Sequence, residues 1–431
     1  MASYVITGGK PLSGSIEISG NKNAALPCLA ATLLTDEPVI LKNIPEIEDV
    51  GAMLMLLESL GSEIETLDRH KIKITGNRKN SLPLESLPVE IVDSIRASIL
   101  LAGPLAVRAK YVSLPPPGGD VIGYRRLDTH FLGLEALGCT CTITPEGRLE
   151  VVAGKLKGTT IFLDEASVTA TENVLMASVL CEGITVISNA ACEPHVQDLC
   201  NMLVAMGANI SGIGSNLLTI EGVATLSGCT FTIGSDYMEV GSYIGLAAAT
   251  GGELELKGVN IKHLPMIQMG FKRIGVEWIK NGPDSIIVPT VQSRVIKRAL
   301  DGGTSKIDDA PWPGFPADLL SIITVVSTQM KGTILIHEKM YETRMFFIDW
   351  LVRMGADIIL CDPHRAVING PSRLKGANLT SPDVRAGMAL VIAALCADGV
   401  STIQNIYQIE RGYERLEEKL LGVGALITRV R

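Results

Sequence analysis

The stretch "PPPGGDVIGYRR", residues 115–126, carries one carboxylate, Asp120, followed closely by two guanidinium groups, Arg125 and Arg126. Three prolines stiffen the backbone and two glycines then free it. An acid able to carry a proton therefore sits on a hinge beside arginines that would pair with a substrate's negative charge. Elsewhere Lys22, Arg96 and Arg385 stand at the starts of apolar segments rich in small residues. Arginine gives a forked, bidentate contact and lysine a compact charge, and a helix N-terminus favours anions through its unpaired N–H groups and dipole. These are the parts of a socket for phosphate or carboxylate.

Each part also has a plainer reading. A charge beside a helix is usually just a solvated charge. Asp318 could be no more than the N-cap of "LLSIITVV", and "ERGYERLEEKL" (410–420) reads as an exposed helix supported by ion pairs. His195 in "EPHVQD" lacks a nearby ligand partner and reads as a surface residue rather than a metal ligand. "GGTSK" (302–306) lacks the spacing of a P-loop, so nucleotide hydrolysis is not indicated.

The elements that must position these residues repeat six times. Gly61, Gly138, Gly207, Gly275, Gly355 and Gly424 each lie within a helix-ending phrase of the type "LVRMGADIIL", at near-constant spacing along the chain. The pattern predicts a helix closed by a left-handed glycine and followed by a short alternating strand. A glycine-led strand ("CEGITVISNA", "MKGTILIHEK") and, before it, a small-residue apolar helix ("NAALPCLAATLL", "IRASILLAGPLA", "TENVLMASVL", "EVGSYIGLAAAT", "DLLSIITVVST", "VRAGMALVIAAL") recur in phase. The helices read as buried, and each unit as roughly strand–helix–strand–helix–strand–strand. Units this long exceed solenoid repeats, so two globular lobes of three units, in an α/β or α+β class, are expected.

Composition narrows the function classes. A net charge of −8 argues against a nucleic-acid partner. Only 4% of residues are aromatic, so the core must be aliphatic. Nine cysteines without a CxxC point to reduced thiols in a cytoplasmic protein rather than to disulfides or zinc. The pair Cys139 and Cys141 suits a strand, with one thiol expected on each face. The apolar run 388–397 is too short to cross a bilayer, so no membrane partner is expected.

The phrases "GGKPLSGSIEISGNKNAALP", "IRASILLAGPLA", "GGDVIGYRRLDTHF", "EPHVQDL" and "ERGYERLEEKL" together resemble the UDP-N-acetylglucosamine 1-carboxyvinyltransferase family. These enolpyruvyl transferases begin the cytoplasmic stage of peptidoglycan synthesis, and the resemblance spans essentially the whole chain. It implies a two-lobed inside-out α/β barrel with one lobe of residues 21–233 and the other of 1–20 with 234–431, and an active site in the cleft between them. It assigns Lys22 and Asn23 to phosphoenolpyruvate, along with Arg125, Arg385 and Arg411. Arg96, the run Arg125, Arg126, Leu127, Asp128 and Thr129, and Ser167, Val168, Asp318 and Met340 fall to the UDP-sugar. Arg344 matches a further active-site arginine. Family members usually carry Lys where Glu165 stands and Gly where Thr169 stands, and Asp120 takes the place usually held by Cys, as in a minority of the family.

On this resemblance Asp318 is the expected base and Asp120 the expected acid, with Lys22 and Arg411 completing the catalytic set. A free aspartate, with a pKa near ~3.9, donates poorly at neutral pH. Closing the loop over an anionic substrate would raise it, against the opposing pull of Arg125 and Arg126. No metal or tightly bound cofactor is implied, phosphoenolpyruvate being a co-substrate. Two other readings stay open: an enolpyruvyl transferase for another acceptor, such as shikimate 3-phosphate or a nucleoside, and a non-catalytic nucleotide-sugar-binding paralogue. The oligomeric state is not legible.

Overall fold

The computed structural model describes residues 2–76, 87–119, 123 and 126–431. The chain divides into two compact units: residues 20–119 with 126–234, and residues 2–19 with 235–431. Each has its own aliphatic core.

Within the unit of 235–431, the helices Tyr237–Thr250, Leu320–Ser327 and Val384–Cys396 pack on one another. Every residue from Val384 to Leu395 is buried, as a helix apolar on all faces requires. Several of the serine and threonine hydroxyls they carry are satisfied inside the same helix, whereas Ser321 Oγ is buried without a partner among the described residues. Ser242 Oγ donates to the Met238 carbonyl at 2.8 Å, Thr324 Oγ1 to Leu320 at 2.7 Å and Ser327 Oγ to Ile323 at 2.6 Å. In the other unit the counterparts are Lys22–Ala31, a 3₁₀ turn Arg96–Leu101 running into Ala102–Ala109, and Val168–Ser178. A Cβ on Gly103 would stand 2.4 Å from the Asn173 carbonyl oxygen, so here the backbones approach as closely as the small residues foretold.

Sheets sheathe these helices. The most regular repeat pairs Thr160–Phe162 parallel with Ile184–Ser188, then adds Leu217–Glu221 and Asn209–Ser211 antiparallel. Five such four-stranded sheets and one of three strands are present among the described residues. The chain's first strand, Ser3–Thr7, lies between Val400–Gln404 and Leu426–Val430, with Val5 opposite both Thr402 and Thr428. In the other unit Thr230–Thr232 closes the ring on Val39–Lys42.

All six repeat glycines have positive φ, from 79° at Gly275 to 106° at Gly138. At Gly355 the N–H meets the Val352 carbonyl at 2.9 Å and the Ala356 N–H reaches back to Leu351 at 3.0 Å, the paired bonds that close a helix at a left-handed residue.

Three expectations need correction. Cys139 and Cys141 lie on the same face of the strand Cys139–Ile143, both toward the core, because residues two apart share a face. Burial pushes their thiols up, to about 11 and about 12. His195 is buried on the helix Pro194–Ala205, not at the surface. "ERGYERLEEKL" is not one exposed helix: it breaks after Glu410 into a turn that buries Arg411, Tyr413 and Glu414, and resumes at Leu416. All nine cysteines are free, and only Cys361 is fully exposed.

Two glycines separate close packing from helix propensity. Gly103→Ala should destabilise its unit by about 2 kcal/mol through overpacking. Gly51 lies in the helix Glu48–Ser59 with nothing within 4 Å of an added Cβ. Gly51→Ala should therefore stabilise the same unit by about 0.5 kcal/mol. Urea unfolding midpoints check both signs.

Candidate active site

The ends of the buried helices carry many of the predicted site residues, and most of those ends are already capped. Asn21 accepts from Ala24 N at 3.1 Å, Ser167 from Ala170 N at 3.4 Å, Asp236 from Met238 N at 2.8 Å and Asp383 from Arg385 N at 2.8 Å. The N-termini are thus not bare anion sockets. An anion bound there would have to be held by the basic side chains beside them.

In the unit of 235–431 three predicted residues meet. Asp318 sits on the 3₁₀ turn Ala317–Leu319 and does not cap the following helix. Its Oδ1 accepts from Arg344 Nη1 at 2.7 Å and its Oδ2 from Arg385 Nε at 3.0 Å. Burial pushes the Asp318 carboxyl up, but the charges and hydrogen bonds of Arg344 and Arg385 outweigh it and hold the group well below the usual carboxylate range, the expected effect of close opposite charge. Both arginines are buried and stacked on aromatic faces. Arg344 lies over Tyr341 at 4.5 Å and Arg385 over Tyr413 at 5.3 Å. Arg385 Nη1 and Arg344 Nε are buried and meet no acceptor among the described residues. Two fixed donors are therefore available to an anion. Arg411 stands on the turn whose Gly412 lies against Val384 at the start of the Arg385 helix, and its Nη1 donates to Gln408 Oε1 at 3.0 Å. Met340 is exposed.

In the unit of 20–234, Lys22 opens the helix Lys22–Ala31 with Asn23 half-buried beside it, and Lys22 Nζ pairs with Asp49 Oδ2 at 2.7 Å. Asp164, absent from the sequence reading, gathers the predicted sugar-nucleotide residues. It accepts from Thr129 Oγ1 at 2.7 Å and from Arg126 Nη2 at 3.3 Å, and Arg126 Nε also reaches Asp128 at 3.0 Å. Leu127 stands at the N-terminal boundary of the helix Asp128–Ala136 and supplies no side-chain cap.

His130 links that helix to the next. Its Nε2 lies 3.1 Å from Thr169 Oγ1 and its Nδ1 3.0 Å from Asn173. Burial, then the charge of Arg96, press its pKa down to about 3, so the imidazole is neutral. Ser167 and Val168 open the Thr169 helix, so residues 126–129 and "ASV" are neighbours through this chain of contacts. Arg96 Nη1 lies 3.4 Å from the Pro117 carbonyl. Glu165 is exposed and adds to the negative field on Arg126. Asp120 and Arg125 lie outside the described residues. Among those described, no cluster of three His, Cys, Asp or Glu could hold a metal ion.

Asp49, Asp164, His130 and Tyr413 were missed because each acts only through a partner distant in sequence.

A carboxylate held below its ordinary pKa contributes stability that is full above the ordinary range and lost as pH falls through the folded value. Asp318→Asn should cost about 3 kcal/mol at pH 7, leaving two buried guanidiniums with one fewer charge between them. The deficit should shrink as the pH drops below about 4, the ordinary carboxylate range. Denaturant unfolding of both proteins at pH 7 and pH 3 measures it.

Known proteins locate this arrangement. The EPSP synthase (3-phosphoshikimate 1-carboxyvinyltransferase) family model matches residues 6–420. The UDP-N-acetylglucosamine 1-carboxyvinyltransferase of Treponema pallidum (strain Nichols) is 56% identical over 427 residues, 99% of each chain. That of Bradyrhizobium diazoefficiens is 55% identical over 99% of this chain and 98% of its own. The crystal structure of the enolpyruvyl transferase NikO from Streptomyces tendae superposes with a TM-score of 0.86 at 22% identity, covering 100% of this chain and 99% of that one. EPSP synthase from Acinetobacter baumannii does so at 0.75 and 18%, covering all of both chains. The two solved structures establish the fold, six repeats in two inside-out α/β barrels, and the full-length identities establish the kinship. The chain belongs to the EPSP synthase family and, within it, to the UDP-N-acetylglucosamine 1-carboxyvinyltransferases.

Proposed function

We propose that the protein transfers the enolpyruvyl group of phosphoenolpyruvate to the 3-hydroxyl of UDP-N-acetylglucosamine and releases phosphate, the first committed step of peptidoglycan precursor synthesis. Identity of 56% along the whole length of a relative bearing that activity in its name carries the reading. The nucleoside and shikimate 3-phosphate acceptors are disfavoured by the same comparison, and a retired paralogue by the retained charge set Lys22, Asp318, Arg344, Arg385 and Arg411. The substrates are cytosolic metabolites, so the protein works in the cytoplasm. No helix among the described residues is long and apolar enough to cross a membrane.

The reaction is an addition followed by an elimination. The acceptor oxygen loses its proton and attacks C2 of phosphoenolpyruvate while C3 gains a proton. Loss of a proton from C3 and of phosphate from C2 then restores the double bond. Arg385, with its spare buried donor, together with Arg411, Lys22, Asn23 and Arg125, is the proposed cradle for the donor's carboxylate and phosphate. Arg96, Arg126, Leu127, Asp128, Thr129, Ser167, Val168 and Met340 are proposed to hold the nucleotide sugar.

Asp318 is the proposed base, and its ion pairs supply a control. Clamped by Arg344 and Arg385 it is ionised, as a base must be, but weakly basic. An anion that draws Arg385 toward itself loosens the clamp and restores basicity where substrate is bound. Asp120 is the proposed acid. No metal or bound cofactor takes part.

Purified protein given phosphoenolpyruvate and UDP-N-acetylglucosamine should release one phosphate per enolpyruvyl ether formed, at a rate untouched by EDTA. No phosphate release, or release with shikimate 3-phosphate instead, sinks the reading.

Asp120 has a second consequence. A thiolate opens an epoxide readily, whereas a carboxylate is a far weaker nucleophile. Fosfomycin should therefore leave the peptide 112–126 unmodified by mass spectrometry, and an adduct there would refute this. Asp120→Asn should lower kcat by at least about a hundred-fold with UDP-sugar binding nearly unchanged.

A further inference from the structure

We propose that Asp309 and Glu338 share one buried proton and together act as a positioning pair for the loop that carries Met340 and leads to Arg344. The strands Ser305–Asp308 and Gly332–His337 run parallel with Asp308 opposite His337, so the next residue of each, Asp309 and Glu338, emerges side by side. Both are completely buried.

Their oxygens converge on one piece of backbone. Asp309 Oδ1 accepts from Lys339 N at 2.6 Å and its Oδ2 from Met340 N at 3.2 Å. Glu338 Oε1 accepts from the same Met340 N–H at 3.1 Å and from Tyr341 N at 3.1 Å. Three successive N–H groups are thereby fixed by two carboxyls. Glu338 Oε2 is buried and meets no donor among the described residues.

Two adjacent buried carboxylates cannot both stay ionised without a cation of their own. The charged and titratable groups around them do not supply one. Arg344 is near enough for its charge to act on Glu338, but it makes its ion pair with Asp318 through Nη1 and no hydrogen bond with either carboxyl of the pair. Lys339 turns outward, its Nζ on Asp308 Oδ2 at 2.6 Å, where Lys306 also reaches at 3.3 Å. His364 approaches only the Glu338 backbone, donating from Nδ1 to the carbonyl at 2.8 Å and accepting the Glu338 N–H at its own carbonyl. The His337 carbonyl faces the Asp309 N–H at 3.4 Å. A proton between the two side chains removes one charge and gives the pair its own hydrogen bond. In accord with this, burial first and Asp309 second push Glu338 up to about 9, against the pull of Arg344.

The clamp matters because of its neighbours in the chain. Met340 is among the residues proposed to touch the nucleotide sugar, and Arg344 holds Asp318. Losing the shared proton sets two negative charges against each other beneath that loop. This role rests on the proposed function; the shared proton itself does not.

The test compares wild type with Glu338→Gln, whose amide can donate to Asp309 but cannot titrate, and with Asp309→Asn as the second such variant. KM for UDP-N-acetylglucosamine and kcat are measured from pH 7.5 to 10. The uracil ring titrates in this range in all three, so the readout is the ratio of wild-type to variant KM. That ratio should rise roughly ten-fold by pH 10, following the protonated fraction, with kcat moving much less. Equal pH profiles, or a variant that loses affinity already at pH 7.5, overturn the proposal.

Melting without ligand gives an independent readout. The folded state keeps a proton that the unfolded chain sheds in the ordinary carboxylate range, so stability is lost as pH rises from there toward about 9. The wild-type Tm should fall relative to Glu338→Gln between pH 5 and 9, and parallel curves overturn the shared proton. If wild type fails to bind UDP-N-acetylglucosamine at pH 7.5, the functional reading fails and the melting curves alone decide on the pair.

Discussion

Three helices per unit that are buried on nearly every side impose the constraint on which everything else in the structure depends. Such helices can exist in water only if something covers them completely, and short amphipathic sheets do so. Their flanks are then closed to chemistry. Their ends remain, and it is there that Lys22, Arg96, Ser167 and Arg385 stand. A fold of this kind concentrates polar function at helix termini because it has nowhere else to put it.

Charge at those ends is balanced locally. Asp383 and Asp236 cap the helix starts, Asp49 meets Lys22, and Asp318 lies between two guanidiniums. Burying a guanidinium without a counter-charge is costly, so protein carboxylates occupy part of the coordination an anionic substrate would otherwise take. The exchange of a protein carboxylate for a substrate anion costs less than desolvating the arginine afresh. The negative overall charge of the chain is compatible with anion binding for this reason: the field that matters is set within a few ångströms.

What could be read from the sequence, and what could not, divides along the range of the forces involved. The six glycines were legible because a left-handed residue is a local requirement of the backbone, and all six have positive φ. The buried helices were legible from their unbroken apolar, small-residue composition. Lys22, Arg385 and Asp318 were found as candidates, but the partnership of Asp318 with Arg344 and Arg385 spans 26 and 67 residues and leaves no local trace. His195 and the 410–420 segment were misread for the matching reason. Both look polar along the chain, yet neighbours distant in sequence bury them. The cysteine pair was an error of geometry rather than of information.

The first strand of the chain, Ser3–Thr7, is held between two of the last, Val400–Gln404 and Leu426–Val430. Contacts of such long range are slow to close. On the ribosome, residues 20–234 can complete their barrel while the rest is still being made. The opening strand must wait for Val400–Gln404 to pair one edge and for Leu426–Val430 to pair the other. Through that interval it is an exposed β edge of the kind that recruits other chains, and its five-residue length keeps the hazard small.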